Sequence, residues 1–146
     1  MKHRVVFLSG LLLLMALAFG QKSSHLYNVN SEKKIKGTIR KISTERRFRG
    51  SAPFIVLKLE EKGTRTIYQV EVSPVWFYDM NFHKGEELEV VGSFYLSDRQ
   101  VPNLIAREIR FKGKVLLLRD KHGFPNWRGG RRERKGRRRE KNIEEL

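Results

Sequence analysis

The chain contains no cysteine. That absence excludes disulfides, thiol nucleophiles, iron–sulfur clusters and zinc held by thiolates, so an exported chain of this kind must hold its fold by packing alone. Histidine is scarce as well. His3, His25, His83 and His122 lie in separate segments, none with a second histidine or a carboxylate at ligand spacing, and no metal site is expected. No serine, threonine or lysine stands beside a histidine and an acid, and no glycine-rich phosphate loop is present. Neither a catalytic constellation nor a cofactor is therefore expected, and the chain reads as no enzyme. Glu60, Glu61, Glu86, Glu87 and Glu89 fall at strand ends and turns, where solvated charge is the ordinary role. Acidic residues are few beside the basic ones, 16 against 31, which leaves a net charge of +15.

Only one long apolar run occurs. Lys2, His3 and Arg4 precede Val5–Phe19, and Ala18 and Gly20 supply small residues ahead of Gln21. This is the layout of a secretory signal peptide over 1–20. The apolar run is shorter than the roughly 20 residues a membrane-spanning helix needs. An uncleaved N-terminal anchor is the alternative, and the missing cysteine excludes a lipoprotein anchor. The remainder, 21–146, suffices for one domain and is too short for two. The protein is expected to be exported, to the periplasm or beyond.

From Lys34 the pattern alternates. Residues 21–33 read as a loose lead-in. "KIKGTIRKIS" (34–43) places Ile35, Gly37 and Ile39 on one face of a strand, with Gly37 a candidate bend. After the basic loop 44–53, "FIVLKLEE" (54–61) and "TRTIYQVEV" (64–72) form a hairpin about Lys62-Gly63. Ser73-Pro74 then looks like a helix start, which predicts a short helix over 75–82 with Trp76 and Met80 capping the core. "EELEVVGSFYL" (86–96) alternates again, with Leu88, Val90 and Gly92 inward. "LIAREIRFK" (104–112) and "KVLLLRD" (114–120) are joined by a Lys112-Gly113 turn. Trp127 is expected to close the fold after a turn at Asp120–Gly123, and 129–146 reads as a basic disordered tail. The order of elements predicts an all-β, OB-fold-like five-stranded Greek-key barrel over 34–128, with a short helix between strands three and four and an added C-terminal strand. Another small barrel or a β-sandwich is the rival.

"VEVSPVWFYDMNFHKGEELEVVGS" followed by "LIAREIRFKGKVLLLRDKHGFPNWRGG" resembles a group of small exported bacterial OB-fold proteins. The likeness spans roughly 34–129. It implies the barrel fold, and a nucleic-acid-binding label that some of the group carry from the fold alone.

The charge suggests partners. Residues 21–118 carry 18 basic and 11 acidic side chains, while 119–146 carry 11 and 5, so the tail is the denser. In an OB-fold the loops between strands one and two and between strands four and five flank the ligand face. The first loop supplies Arg46, Arg47 and Arg49 with Phe48 among them; the second supplies Arg99. Basic side chains around an aromatic suit single-stranded nucleic acid, with charge on the phosphates and a ring on a base. A solvated charged loop is the plainer alternative. With Arg128, Arg131 and Arg132 from the start of the tail, these residues define the expected site for a polyanion such as single-stranded nucleic acid or an acidic surface polymer. The second reading is a protein–protein adaptor in a cell-envelope or exported redox assembly.

Overall fold

The computed structural model describes residues 26–46, 49–77 and 80–128. The expected signal peptide, the first part of the lead-in and the tail lie outside these residues. Six strands run in chain order: β1 (Glu32–Glu45), β2 (Phe54–Glu61), β3 (Ile67–Pro74), β4 (Glu87–Leu96), β5 (Pro102–Phe111) and β6 (Lys114–Leu117). They form one sheet in the order β3-β2-β1-β4-β5-β6. A parallel pairing of β3 with β5, from Gln69↔Asn103 to Glu71↔Ile105, closes the first five into a barrel. β6 is the added strand at its edge. The expected OB-fold-like barrel is what the chain forms.

Two glycines make the closure possible. The long strand β1 serves both halves of the barrel: Gly37 and Thr38 register with Glu61 and Glu60 of β2 and with Leu88 and Glu87 of β4. Adjacent backbones press so close there that a Cβ on Gly37 would lie 2.3 Å from the Glu60 carbonyl oxygen. Gly92 plays the same part on β4, 2.4 Å from the carbonyl oxygen of Ile105. Beside it the β4–β5 register steps from Val91↔Glu108 to Gly92↔Ala106, leaving Arg107 as a bulge. The bulge also shifts the inward phase of β5, so that Leu104, Ala106 and Ile109 all enter the core. Ile39, Leu57, Leu59, Val70, Val90 and Leu118 fill the rest, each fully buried.

The expected helix is not there: among the described residues no α-helix occurs. Ser73 and Pro74 end β3, where Pro74 pairs with Phe54, and a turn follows in which the Phe77 amide donates to the Pro74 carbonyl at 3.0 Å. Proline is tolerated at a strand end, and a segment of eight residues rich in aromatic side chains is too short and too poor in helix formers to nucleate one. The turn reverses part of the expected packing. Trp76 is 60% exposed, whereas Phe77 and Met80 pack on the core and Phe82 is buried against Phe111.

The lead-in from Leu26 is docked rather than loose. The Asn28 amide donates to Ser93 Oγ at 3.0 Å, and Ser31 Oγ lies 3.0 Å from the same atom. Tyr27 donates its hydroxyl to Glu32 at 2.5 Å, and the bulged Arg107 grips that carboxylate with two bonds of 2.7 and 3.1 Å. Burial pushes the Tyr27 phenol well above its ordinary value, with the Glu32 carboxylate adding to the effect. The Arg107 hydrogen bonds hold the Glu32 carboxyl below its ordinary value, against the pull of burial. A depressed carboxyl stabilises the fold above its unfolded pKa, and that contribution vanishes as pH falls through the folded value. Glu32→Gln is expected to cost about 1–2 kcal/mol near neutral pH. It should also remove part of the acid dependence of stability, which denaturant titrations at pH 7 and at pH 3 will measure.

Candidate functional site

One outward row of the barrel wall is closed off from solvent. It runs Ser43–Val56–Glu71–Ile105–Ser93 across β1, β2, β3, β5 and β4. By strand alternation it faces away from the core, yet Val56, Glu71, Ile105 and Ser93 are all buried. The docked Asn28 and Ser31 lie on Ser93. Tyr95 reaches across to donate its hydroxyl to Glu71 at 2.6 Å. Arg119, which feels the Glu71 charge, sits with its guanidinium 5.5 Å from the Tyr27 ring centre and 5.0 Å from that of Trp127. Burial pulls the Arg119 pKa down, while Glu71 opposes the shift. One of its amino groups donates to the Gly123 carbonyl at 3.0 Å, and its Nε has no partner among the described residues. The two ends of the barrel domain thus fold over part of the face that OB-folds ordinarily offer to a ligand.

The next row out is Lys41–Lys58–Gln69–Asn103–Tyr95. Lys41 and Lys58 are exposed and directly opposite each other, a like-charge pair that costs stability unless an anion answers it. Several other cations on the barrel are answered within the chain. Lys34 pairs with Glu89, Arg40 with Glu60, Lys62 with Glu87, Lys112 with Glu86 and Arg110 with Glu108, all at 2.9 Å or less.

Of the expected polyanion site, Arg46, Arg49, Arg99 and Arg128 are exposed, and none has a carboxylate partner among the described residues. Arg47, Phe48, Arg131 and Arg132 lie outside the described residues. The roots of the two loops are apart: one is anchored where Phe54 meets Pro74, the other where Asn103 meets Gln69. Five residues of extended β3 between them span about 17 Å. The end of β1 nevertheless curls back over this span: Gln69 Nε2 donates to the Glu45 carboxylate at 3.5 Å, so the residue before Arg46 reaches the root from which the Arg99 loop springs.

Trp127 brings its neighbour Arg128 to the β2 end of the first loop. Trp127 stacks edge-on against Phe54 at 5.8 Å and against Phe77 at 5.4 Å, closing the barrel end as the sequence suggested. The Val75 amide donates to the Pro53 carbonyl at 3.0 Å, tying the 75–77 turn to the same loop. Outside this aromatic plug stand Trp76, whose ring touches Phe77 at 6.0 Å, and Val75, both exposed. The barrel end thus carries an exposed tryptophan and valine on elements that also carry Arg46, Arg49 and Arg128. Sequence patterning missed Trp76 because an aromatic beside a core strand reads as buried. Among the described residues no cluster of three His, Asp or Glu side chains could hold a metal ion.

A closed five-stranded barrel of OB-fold type, with an aromatic–arginine end and no long apolar helix among the described residues, defines the class. Residues 31–116, from the 3-10 turn before β1 into β6, match the family model of the MamS/MamX magnetosome proteins, and the chain belongs to that family. The match covers the whole barrel and stops short of the loop that carries Trp127. Searches of curated proteins and of solved structures found no significant match.

Proposed function

We propose that the protein is an exported, non-enzymatic barrel that docks an acidic partner protein within a magnetosome assembly at the cell envelope. The observation that carries this reading is the exposed Trp76 at the barrel end, on a turn tied to the loop that carries Arg46 and Arg49, which have no carboxylate partners among the described residues. Tryptophan and arginine dominate binding energy at protein interfaces, and a large exposed ring next to uncompensated cations suits a partner that buries the first and neutralises the second. Membership of a magnetosome family supports an assembly of proteins as the setting. The covered outer row weighs against a nucleic acid laid across the usual face.

The reading is tested with tagged full chain cross-linked in cells, followed by titration of the isolated partner. Trp76→Ala should leave stability within about 0.5 kcal/mol, because the ring covers little of the core. It should weaken the partner by roughly 30-fold, the loss of about 2 kcal/mol typical of such an anchor. Reversing Arg46 and Arg49 to glutamate should mainly slow association. If Trp76→Ala binds as the wild type does, and single-stranded DNA or heparin binds with a steep salt dependence instead, the polyanion reading replaces this one.

A further inference from the structure

β6 leaves one edge of the sheet open. The turn before it, Lys112-Gly113, has both residues at positive φ (50° and 73°), the signature of a two-residue hairpin whose closing pair, Phe111↔Lys114, is hydrogen-bonded. Pairs then alternate: Ile109↔Leu116 is bonded, Arg110↔Val115 and Glu108↔Leu117 are not, and the Leu118 amide donates again to Arg107 at 2.8 Å. The N–H and C=O groups of Val115 and Leu117 therefore point away from β5. The Leu117 carbonyl accepts from Asn126 Nδ2 at 2.9 Å. Among the described residues no named strand pairs with the outer side of β6, but the chain turns back beside its end, where Arg119 bridges Pro125 and the Asn126 amide donates to the Leu118 carbonyl at 3.0 Å, so the open backbone groups are those of Val115 and the Leu117 N–H. The side chains on this edge are apolar as well: Val115 is 56% exposed and Leu117 52%. An open edge with exposed β-formers, neither bulged nor interrupted by proline, is a template for a further strand.

The charge around the edge selects the occupant. Lys114 on β6 and Lys121 in the next turn are exposed without a carboxylate partner among the described residues. Arg110 and Lys112 flank them. A second copy would bring the same unanswered cations, Lys114 and Lys121, to the seam and no carboxylate to meet them. We propose that β6 takes up an extended segment of a partner protein in which acidic and apolar residues alternate, its backbone pairing with Val115 and Leu117 and its carboxylates meeting Lys114 and Lys121. This docking edge uses the backbone of β6 rather than the Trp76 ring and does not rest on the reading given for that ring, so one barrel would join two partners.

The probe is a seven-residue peptide alternating glutamate and valine, with its lysine–valine counterpart as control, added to the full chain. Amide exchange by NMR should slow at least tenfold at Val115 and Leu117 with the glutamate peptide and not with the control. Val115→Pro removes an N–H that β5 does not use, at a position where an edge strand accepts proline, so melting should be unchanged while peptide affinity falls at least tenfold. Lys114→Glu should reverse the preference between the two peptides, and it serves as the second variant. Equal binding of both peptides, or unchanged affinity in Val115→Pro, would overturn the proposal. So would protection of the two amides without peptide: if it grows with protein concentration the occupant is a second copy, and if it does not the occupant is a segment of the chain itself. A Trp76→Ala variant that still binds the glutamate peptide separates this site from the barrel end.

Discussion

Gly92→Ala is expected to destabilise the protein by about 3 kcal/mol, near the upper end for an overpacked site, lowering its melting temperature by roughly 10–20 °C. The added methyl would lie 2.4 Å from the Ile105 carbonyl oxygen and 3.1 Å from the Ala106 Cα. These are backbone atoms, so no side-chain rotation relieves the contact. Nor can the strand yield locally. Ile105 is registered on one side with Ser93 of β4 and on the other with Glu71 of β3, in the pairing that closes the barrel. Moving it opens the seam. A useful control is Gly63→Asn in the β2–β3 hairpin. Gly63 has a φ of 93°, a Cβ there would meet nothing within 4 Å, and asparagine tolerates left-handed backbone well. It should cost well under half as much, and thermal melts of the two variants will show whether close approach or backbone conformation governs stability.

The second large effect is expected from Trp127→Ala, at about 3 kcal/mol. The ring packs on the core, and it meets Phe54 and Phe77 edge-on in a geometry that adds to simple burial. It also covers the Arg119 guanidinium, whose Nε has no partner among the described residues. Its loss would leave a gap at the barrel end and loosen the loop that Tyr27 rests on: a Cβ at Gly123 would come within 2.2 Å of the Tyr27 ring. Phe124→Ala is the contrast. Phe124 is among the exposed hydrophobics, and its removal should change stability by no more than about 0.5 kcal/mol. Urea titration of both variants distinguishes a plug from a surface decoration. A Trp127→Ala protein as stable as the wild type would show that the barrel closes without it.

Much of the barrel was legible in the chain. Runs of β-branched and aromatic residues with period two, punctuated at Lys62-Gly63 and Lys112-Gly113, specify strands and hairpins through local sterics. Gly37 and Gly92 were legible as points of sharp coiling because a glycine within a strand otherwise weakens it. The helix was misread because Ser73-Pro74 is a start signal only if the residues after it go on to form one, and here Pro74 stays paired with Phe54. Trp76 and Phe77 are adjacent aromatics, and which of them turns inward is set by the turn that ties Val75 to Pro53.

The candidate site was harder to see. Arg46, Arg49, Arg99 and Arg128 were found by composition, but the chain order does not show that Glu45, beside Arg46, reaches Gln69 at the root of the Arg99 loop, or that Trp127 brings Arg128 to the Phe54 end of the first loop. Nor does it show the open edge of β6, since a strand is an edge only by what fails to pair with it.

The sequence by itself determined the strands, the two hairpins and the places where the sheet coils, because these follow from the conformational preferences of neighbouring residues. Only the tertiary structure decided which outward side chains are covered and which apolar ones are exposed. Glu71 and Ser93 alternate toward solvent and are buried, and Trp76, Val115 and Leu117 are open. The reason is distance along the chain: the contacts that cover the wall join Asn28 to Ser93 and Glu32 to Arg107, residues 65 and 75 positions apart, and no local pattern encodes them.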